Sequence, residues 1–431
     1  MARLTLDARL ALLPASSIPL LYFAFAHVCL ASACGLLLVE PSTAGTFFYH
    51  PRMVALVHLV TVGWISGSIL GAFYIVGPLA LRMPLRERAS DRAAFAAFAA
   101  GTIGMSGAFW TGAYHLVAWL SALVMIAVLH VAVRAWRGLG GAVAPRPIKL
   151  HVALAFANMA VAGMFGAIVG MNRVSGWFAW SPLSLAYAHA HLAAIGWAVM
   201  MAVGLGYRLV PMVLPSRMPD GASTAISAVL LEAGAVILAV ALVLESAWIV
   251  VGGFLAGGGI AAFLAHLRVM LRSRLPPPAE LPRPDWPTWQ TRAAFAWLIA
   301  SAAIGVSLSM PQAAEAGARN GTRWIYGTAG LVGFLSQVVI GIQGRLLPLH
   351  GWYRAFQAAG LAQPARSAHS LGSPALAAAV FWTWTAGVPA LAAGFASSAW
   401  WLVSAGSGLL LAGVVLNAAR GWSIVRSASA A

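Results

Sequence analysis

The stretch that decides the fold runs from Ala188 to Trp197 as Ala-His-Ala-His-Leu-Ala-Ala-Ile-Gly-Trp, and it carries two histidines in apolar surroundings. The residues that recur elsewhere in the chain begin here with His191, Leu192, Gly196, Trp197, Gly204, Tyr207 and Pro211. The same spacing recurs as His58, Leu59, Gly63, Trp64, Gly71, Tyr74 and Pro78. A third, more diverged copy consists of Thr328, Gly333, Phe334, Gly341, Gly344 and Pro348. Such an internal repeat predicts that one structural unit is used three times.

The composition is that of a membrane protein. Of the 431 residues, 61% are hydrophobic and only 8% are charged, whereas soluble domains carry roughly 25% charged residues. Twelve apolar stretches are long enough to cross a bilayer as helices, and an open sheet is excluded because its edges could not be satisfied in lipid. The predicted spans lie near residues 18–38, 53–80, 95–112, 115–133, 150–171, 183–213, 224–243, 247–267, 293–310, 323–348, 372–394 and 397–418.

The basic residues predict how the chain is oriented. With both termini in the cytoplasm, all but four of the 26 Lys and Arg residues fall on the cytoplasmic side, the exceptions being Arg52, Arg173, Arg319 and Arg323. This asymmetry is the positive-inside rule. It accounts for the formal charge of +16 without a nucleic-acid partner. We therefore expect a multi-pass protein of a bacterial-type inner (plasma) membrane, in contact with the lipid bilayer and with no nucleic acid.

Twelve spans divided among three repeats give four helices for each repeat. We predict an all-α polytopic membrane protein, with one transmembrane domain over residues 1–431. Its three pseudo-symmetric four-helix arcs would cover about 1–145, 146–285 and 286–431. The recognisable helix is the second of each arc, and in the predicted topology its three copies run in the same direction. Parallel copies are related by rotation about the membrane normal.

Several histidines lie within the predicted membrane: His58, His115, His189 and His191 in its outer half, and His27 near its middle. Polar side chains at such depth usually face a cavity or a partner, and imidazole is the commonest metal ligand. His58 and His191 occupy equivalent repeat positions, so we predict that at least one of them binds a haem or a metal. His189 diverges from His191 by about 200° around a helix, so these two cannot ligate one iron. His115 and His27 are weaker candidates, and for each histidine a packed, hydrogen-bonded role is the alternative.

Two further features have open interpretations. Glu232 is a carboxylate in the middle of the seventh predicted span, where it is either a proton-relay group or the partner of a buried polar side chain. The repeated glycines that follow His58 and His191 allow close approach to the backbone, either by a flat macrocycle or by a neighbouring helix.

This architecture, with histidines near the outer ends of the second and sixth spans, resembles the haem-copper oxidase and nitric oxide reductase catalytic subunit I superfamily. NnrS-like haem-copper membrane proteins are looser relatives. The resemblance covers nearly the whole chain in architecture, but its motif is limited to His58, His191 and the signature His-Ala-His-x4-Gly-Trp. It implies that His58 ligates a low-spin haem and that His191 ligates copper. The family also carries a histidine pair in helix 7 and two histidines in helix 10. This sequence lacks all four, and Thr328 lies in the helix 10 stretch.

The sequence therefore predicts a haem-binding integral membrane protein for electron transfer or for nitric oxide or oxygen handling, without a complete haem-copper centre. The expected cofactor is haem b, held by His58 with His191, His189 or His115 as second ligand, and copper ranks second. We expect an oxidoreductase component that acts with a redox partner or an additional membrane subunit, and not a proton-pumping oxidase. Two alternatives stay open. One is a copper- or haem-handling factor or an accessory subunit of a respiratory complex, and the other is a transporter or channel using the central cavity.

Overall fold

The structure is a computed structural model that describes residues 10–219, 221–311 and 316–429. The described residues are helical and include no β-strand, apart from one isolated bridge between Ser216 and Arg274. Within these described residues, twelve helices are long and apolar enough to span a membrane, as the composition predicts. They are α1 (Ile18–Val39), α2 (Pro51–Ala80), α3 (Ala89–Thr111), α4 (Tyr114–Leu139), α5 (Arg146–Ser175), α6 (Pro182–Val213), α7 (Ala222–Val243), α8 (Ile249–Arg272), α9 (Trp286–Ser309), α10 (Asn320–Ala358), α11 (Pro374–Ser397) and α12 (Trp400–Ala428). Short helical turns cover Pro41–Gly45 and Ala368–Ser370.

Two of these helices begin earlier than their apolar runs predict. Helix α3 begins at Ala89 and not near 95, and α9 begins at Trp286 and not near 293. Asp91 closes the first turn of α3 by accepting from the Arg88 backbone N–H at 2.7 Å. Pro287 occupies the first turn of α9, where its missing N–H leaves no hydrogen bond unmade. Hydropathy underestimates both helices because their first turns are polar.

The three repeated helices share an unusual backbone. Helices α2, α6 and α10 each change from α-helical to π-helical geometry over eight residues, directly after His58, His191 and Thr328 respectively. The π-helical segments are Leu59–Ser66, Leu192–Val199 and Ala329–Ser336. Such segments are rare and occur frequently at functional sites. The three positions that the sequence pattern places in register therefore also share a local conformation.

Glycines bring the first helix of each repeat against this π-helical segment. A Cβ added to Gly63 would lie 2.5 Å from the Cβ of Cys29 on α1, and one added to Gly196 would lie 2.8 Å from the Cγ of Asn158 on α5. Gly333 has the same relation to α9, where an added Cβ would lie 2.6 Å from a ring atom of Trp297. Any larger residue would force the helices apart. In this structure the repeated glycine therefore serves helix packing.

The helices contact one another in the same pattern in each repeat. The first helix packs on the second (α1 on α2, α5 on α6, α9 on α10), and the third pairs with the fourth (α3 with α4, α7 with α8, α11 with α12). Helix α4 contacts α5, α8 contacts α9, and α12 contacts α1. The π-helical segments of α2, α6 and α10 contact one another. These three helices are thus the inner ones, and the other nine surround them.

Two opposite ends of this bundle are distinguished below. The basic side is the end at which α2, α6 and α10 finish, and it carries Arg82, Arg86, Arg134 and Arg345. The histidine side is the end at which the same helices begin, at Pro51, Pro182 and Asn320. His58 and His189 each follow the first residue of their helix by the same seven positions, which is about 10 Å below its start at 1.5 Å per residue.

Candidate functional site

The candidate site is formed where α2 meets α6 near the histidine side. The rings of His58 and His189 lie nearly parallel, 15° apart in plane, with 6.4 Å between their centroids. Phe109 of α3 also stacks on His58, with a centroid distance of 5.0 Å. Both histidines are only partly accessible. The structure therefore pairs two imidazoles from different repeats inside the predicted membrane.

Backbone carbonyls fix the same nitrogen in each ring of this pair. The Nδ1 of His58 lies 2.8 Å from the carbonyl oxygen of Val54, and the Nδ1 of His189 lies 3.0 Å from that of Ala162. A carbonyl only accepts, so each Nδ1 carries the proton and each Nε2 of the neutral ring keeps its lone pair. Neither Nε2 has a hydrogen-bond partner among the described residues. An Nδ1–H held by a carbonyl, with a free Nε2, is the usual arrangement of a metal-ligating histidine.

Helix α5 fixes the position of the His189 ring. Its Ala162 supplies the carbonyl acceptor, and Phe165 contacts the ring edge-on at a centroid distance of 6.5 Å. A Cβ added to Gly166 would lie 2.6 Å from the His189 Cε1, so the ring rests on a position of α5 that has no side chain. His189 is therefore held by a neighbouring helix, which limits its rotation more than its own backbone would.

His191 lies at a second contact, between α6 and α10. Its Nδ1 is 2.8 Å from the carbonyl oxygen of Tyr187, which again leaves the Nε2 lone pair free. Its ring is nearly parallel to that of Tyr326, 17° apart in plane, with 5.9 Å between centroids. Tyr326 occupies the repeat position that His189 occupies in α6. The two histidines of the signature thus belong to different contacts, as their spacing predicts.

The third contact lies between α10 and α2. It contains a cavity where each of the other two contacts has a pair of nearly parallel rings. Leu56 and Thr328 both line this cavity, whose volume is about 180 Å³. Most of the lining is apolar, but Trp384 and Ser407 also contribute to it, and their Nε1 and Oγ atoms are buried without a hydrogen-bond partner. No imidazole lines this space. The position equivalent to His58 is a threonine here, and the position equivalent to His189 is a leucine.

The remaining predicted site residues lie outside these contacts. His115, at the start of α4, is exposed and makes no ring contact or hydrogen bond within the described part of the chain. Glu232 of α7 accepts a hydrogen bond from the Asn158 Nδ2 at 2.6 Å. This geometry matches the interpretation of Glu232 as the partner of a buried polar side chain, and Asn158 is itself packed against Gly196.

A row of aromatic rings connects the histidine pair to the molecular surface. The Arg173 guanidinium lies over the Tyr114 ring at 4.4 Å, and the Tyr114 ring is 6.2 Å from that of Phe109. Phe109 stacks on His58, and His58 stacks on His189. The sequence pattern does not single out Phe109. The repeat register aligns Tyr326 with His189, but it does not predict that the Tyr326 ring lies against His191.

The donor set suits a haem better than a bare metal ion. A haem iron needs only one or two axial ligands from the protein, whereas a copper or zinc site usually takes three or four. Within residues 10–219, 221–311 and 316–429, no group of three or more His, Cys, Asp or Glu side chains could hold a metal ion. His58 and His189 would together supply the two imidazoles that such a haem takes from the protein.

Comparison with known proteins assigns no family to the chain. No protein-family model matches the chain, and no curated protein matches it at a significant level.

Proposed function

We propose that this chain is a haem-binding integral membrane protein that transfers electrons through a bis-imidazole haem b ligated by His58 and His189. The observation that carries the proposal is the nearly parallel pair of rings, 6.4 Å apart between centroids, whose Nδ1 atoms are both held by backbone carbonyls. The sequence alone leaves His191, His189 and His115 as possible second ligands beside His58. The geometry favours His189, because His191 stacks on Tyr326 and His115 is exposed.

The residues around the pair would perform the protein's share of this chemistry. Haem held by His58 and His189 would supply reversible one-electron transfer. The backbone carbonyls of Val54 and Ala162 accept hydrogen bonds from the Nδ1–H groups. The Nε2 of each ring therefore keeps the lone pair with which it would bind the iron. Phe109 and the apolar helices exclude water from the rings. The row from Tyr114 to His58 offers a path by which an electron from a redox partner would enter.

We also propose the finer architecture that places this pair. Three four-helix arcs around a common centre are supported by the equivalent π-helical segments, the matching glycine contacts and the contact of α12 with α1. The excess of Lys and Arg on the basic side supports cytoplasmic termini in a bacterial-type inner membrane. At the contact between α10 and α2, Thr328 and Leu56 take the positions that His58 and His189 have in the other helices. This lack of a further histidine supports a single haem in place of a haem-copper centre. Partner subunits would supply electrons at the histidine side.

The test is a reduced-minus-oxidised absorption spectrum of the purified chain, expressed with adequate haem. We expect a b-type signal in the wild type that is lost in His58→Ala and in His189→Ala. His115→Ala is the matched control, because that histidine is exposed, and its spectrum should equal that of the wild type. A folded wild-type protein without a Soret band would refute the proposal. Full signal in His189→Ala would show that another residue is the second ligand.

Nitric oxide or oxygen handling is the second candidate, and His191 is the observation that favours it. This ring has a free Nε2 and faces the Tyr326 ring in place of a second imidazole, so an iron ligated there would keep an open position. A carbon monoxide-induced spectral shift in the wild type that disappears in His191→Ala would support this role. An unchanged shift in that variant would exclude it.

A further inference from the structure

A second cavity, of about 140 Å³, lies at the basic side, far along the helices from the histidine pair. It is formed between the segment that precedes α9 and the ends of α10, α11 and α12. Arg345 of α10 and Arg420 of α12 both line it, together with Asp285 and His369. Pro287, Leu349 and Ile424 supply apolar surface. Two guanidinium groups therefore share this space with a single carboxylate.

The carboxylate is already occupied by one of the two cations. Asp285 forms an ion pair with the Arg345 Nη2, and its Oδ2 also accepts from the Thr288 hydroxyl at 2.6 Å. The side chain of Arg345 is only 9% exposed. This part of the cavity is electrically neutral, because Arg345 and Asp285 cancel. Arg420 remains as an additional positive charge.

Arg420 has no counter-charge among the described residues. It is 5% exposed, and it takes part in none of the described ion pairs. Its Nη2 donates to the Asn417 Oδ1 at 2.8 Å, while its Nε is buried without a partner. Burying an unpaired cation is strongly unfavourable. An anion that entered the cavity would remove this penalty and would satisfy the free N–H.

In the first repeat, the arginine on the fourth helix has a counter-charge that the protein itself supplies. There the fourth helix, α4, also carries an arginine, and Arg134 forms an ion pair with the buried carboxylate of Asp91. Tyr74 fills the remaining space and donates its hydroxyl to Asp91 at 2.9 Å. In the third repeat Gly344 occupies the position of Tyr74 and lines the cavity. Pro287 and the Arg420 guanidinium pack against Gly344, where an added Cβ would lie 2.7 Å from the Pro287 Cγ and 3.3 Å from the Arg420 Nη1. Helix α11 has no carboxylate in the place of Asp91.

We propose that this cavity binds a phosphate-type oxyanion, with Arg420 as the principal ligand and the free Nε of Arg345 as the second. A guanidinium presents its N–H groups in a fork that matches phosphate oxygens. Basic pockets between transmembrane helices at the cytoplasmic face are typical sites for anionic lipid headgroups. The apolar lining beside Leu349 and Ile424 suits the first carbons of such a lipid. Inorganic phosphate offers the same oxyanion without a chain.

The experiment uses the purified full chain in neutral detergent, with phosphatidylglycerol, phosphatidylcholine and inorganic phosphate as separate probes. We expect phosphatidylglycerol to raise the thermal unfolding midpoint in a saturable way, because a ligand that binds the folded state stabilises it. Phosphatidylcholine should not do so. An effect of phosphatidylglycerol alone identifies a lipid headgroup as the source. An effect of inorganic phosphate as well shows that the free anion suffices. No effect of either anionic probe overturns the proposal.

Substitutions in α12 test whether the stabilisation by phosphatidylglycerol arises from binding at the cavity beside Arg420. Arg420→Gln should weaken binding by about tenfold or more, since a hydrogen bond to a charged group contributes about 1.5–3 kcal/mol. Arg426→Gln is the matched control, because this exposed arginine lies on the same helix outside the cavity, and its affinity should be that of the wild type. If Arg420→Gln does not fold, Arg420→Lys keeps the charge but loses the fork, and weaker binding is again expected. Wild-type affinity in the folded Arg420 variant would contradict the proposal.

Discussion

At the scale of single residues, His27 and His58 show what separates a structural histidine from a candidate ligand. Both place Nδ1 against the carbonyl four residues earlier, that of Phe23 for His27 and that of Val54 for His58. The Nε2 of His27 then lies 2.9 Å from the Asn417 Nδ2, so both of its nitrogens are used. The Nε2 of His58 is free. His27 is therefore a packed, hydrogen-bonded histidine of the α1–α12 contact.

The sequence could not make this distinction, because the deciding partners come from other helices. Repeat equivalence singles out His58 and His191, and in the structure each of them directly precedes a π-helical segment. It predicts that the two histidines lie at the same depth, but not which residue each of them meets. In the structure, His58 meets His189, because neighbouring inner helices contact each other through positions two residues apart in the register. A rotational arrangement separates equivalent residues, and only the packed helices show which positions become neighbours.

Asp91 gives a residue-level prediction about stability. This fully buried carboxylate accepts hydrogen bonds from the Tyr74 hydroxyl, the Arg88 backbone and His130, and it forms an ion pair with Arg134. Asp91→Ala would leave the Arg134 charge buried and unpaired, which typically costs about 3–5 kcal/mol. We expect the unfolding midpoint to fall strongly in this variant. Asp91→Ala combined with Arg134→Met should be more stable than Asp91→Ala alone. A less stable double variant would show that the lost ion pair is not the cause.

At the scale of helices, the number and type of the elements could be predicted, but not all of their ends. Twelve apolar runs give twelve helices, because a helix is what an apolar run must form in lipid. The early start of α3 depends on Asp91 and its partner at Arg88. The π-helical segments have no counterpart in hydropathy, since an additional residue within a turn leaves the composition unchanged. Only the spacing of residues within each copy, which the three copies share, indicates that these positions are special.

Helices α7 and α8 pack so closely that a single methyl group should separate them. A Cβ added to Gly234 would lie 2.4 Å from the backbone nitrogen of Ala256, and backbone atoms cannot rotate away as side chains do. We expect Gly234→Ala to destabilise the protein by about 1–3 kcal/mol, the usual range for overpacking. Gly107→Ala is the control, because its new Cβ would have no atom within 4 Å. Equal unfolding midpoints of these two variants would contradict the packing argument.

The start of α1 depends on a carboxylate from the loop that precedes α3. Glu87 accepts hydrogen bonds from the Ser17 hydroxyl at 2.5 Å, from the Ser17 backbone N–H at 3.1 Å and from the Ile18 backbone N–H at 3.2 Å. Burial by itself would raise the pKa of Glu87, but these bonds and one from Arg92 outweigh it and lower the pKa below its ordinary value. The folded state therefore holds the charged form more strongly than the unfolded chain does.

This linkage predicts how the contribution of Glu87 depends on pH. Because the pKa of the folded state is the lower one, the stabilisation is present above the unfolded pKa of about 4.3. It is lost as the pH falls through the folded pKa. We expect Glu87→Gln to unfold at a lower temperature than the wild type at pH 7, with the difference disappearing in acid. Glu280→Gln, at an exposed site, should match the wild type at pH 7. A Glu87→Gln deficit that persists unchanged at pH 3 would refute this account.

At the scale of the whole molecule, the basic side and the histidine side differ in charge and in packing. The basic side holds the buried clusters of Asp91 and Arg420 and most of the Lys and Arg residues that the structure describes, whereas the histidine side holds the ring contacts. Positive charge is retained on the cytoplasmic side during insertion. The oxyanion site would then face the cytoplasmic leaflet and the haem site the opposite one. Electrons would arrive at the face remote from the arginines.

This orientation can be tested with single cysteines on the two sides. Ser175 lies at the end of α5 on the histidine side, Ala279 lies between α8 and α9 on the basic side, and both are exposed. The native Cys29 and Cys34 are buried, so they should contribute little background to labelling by a membrane-impermeant maleimide. In bacterial spheroplasts we expect Ser175→Cys to react while the membrane is intact and Ala279→Cys to react only after it is permeabilised. The opposite pattern would invert the topology. It would place the histidine pair near the cytoplasm and the arginine-lined cavity on the outer face, and it would exclude electron entry from outside.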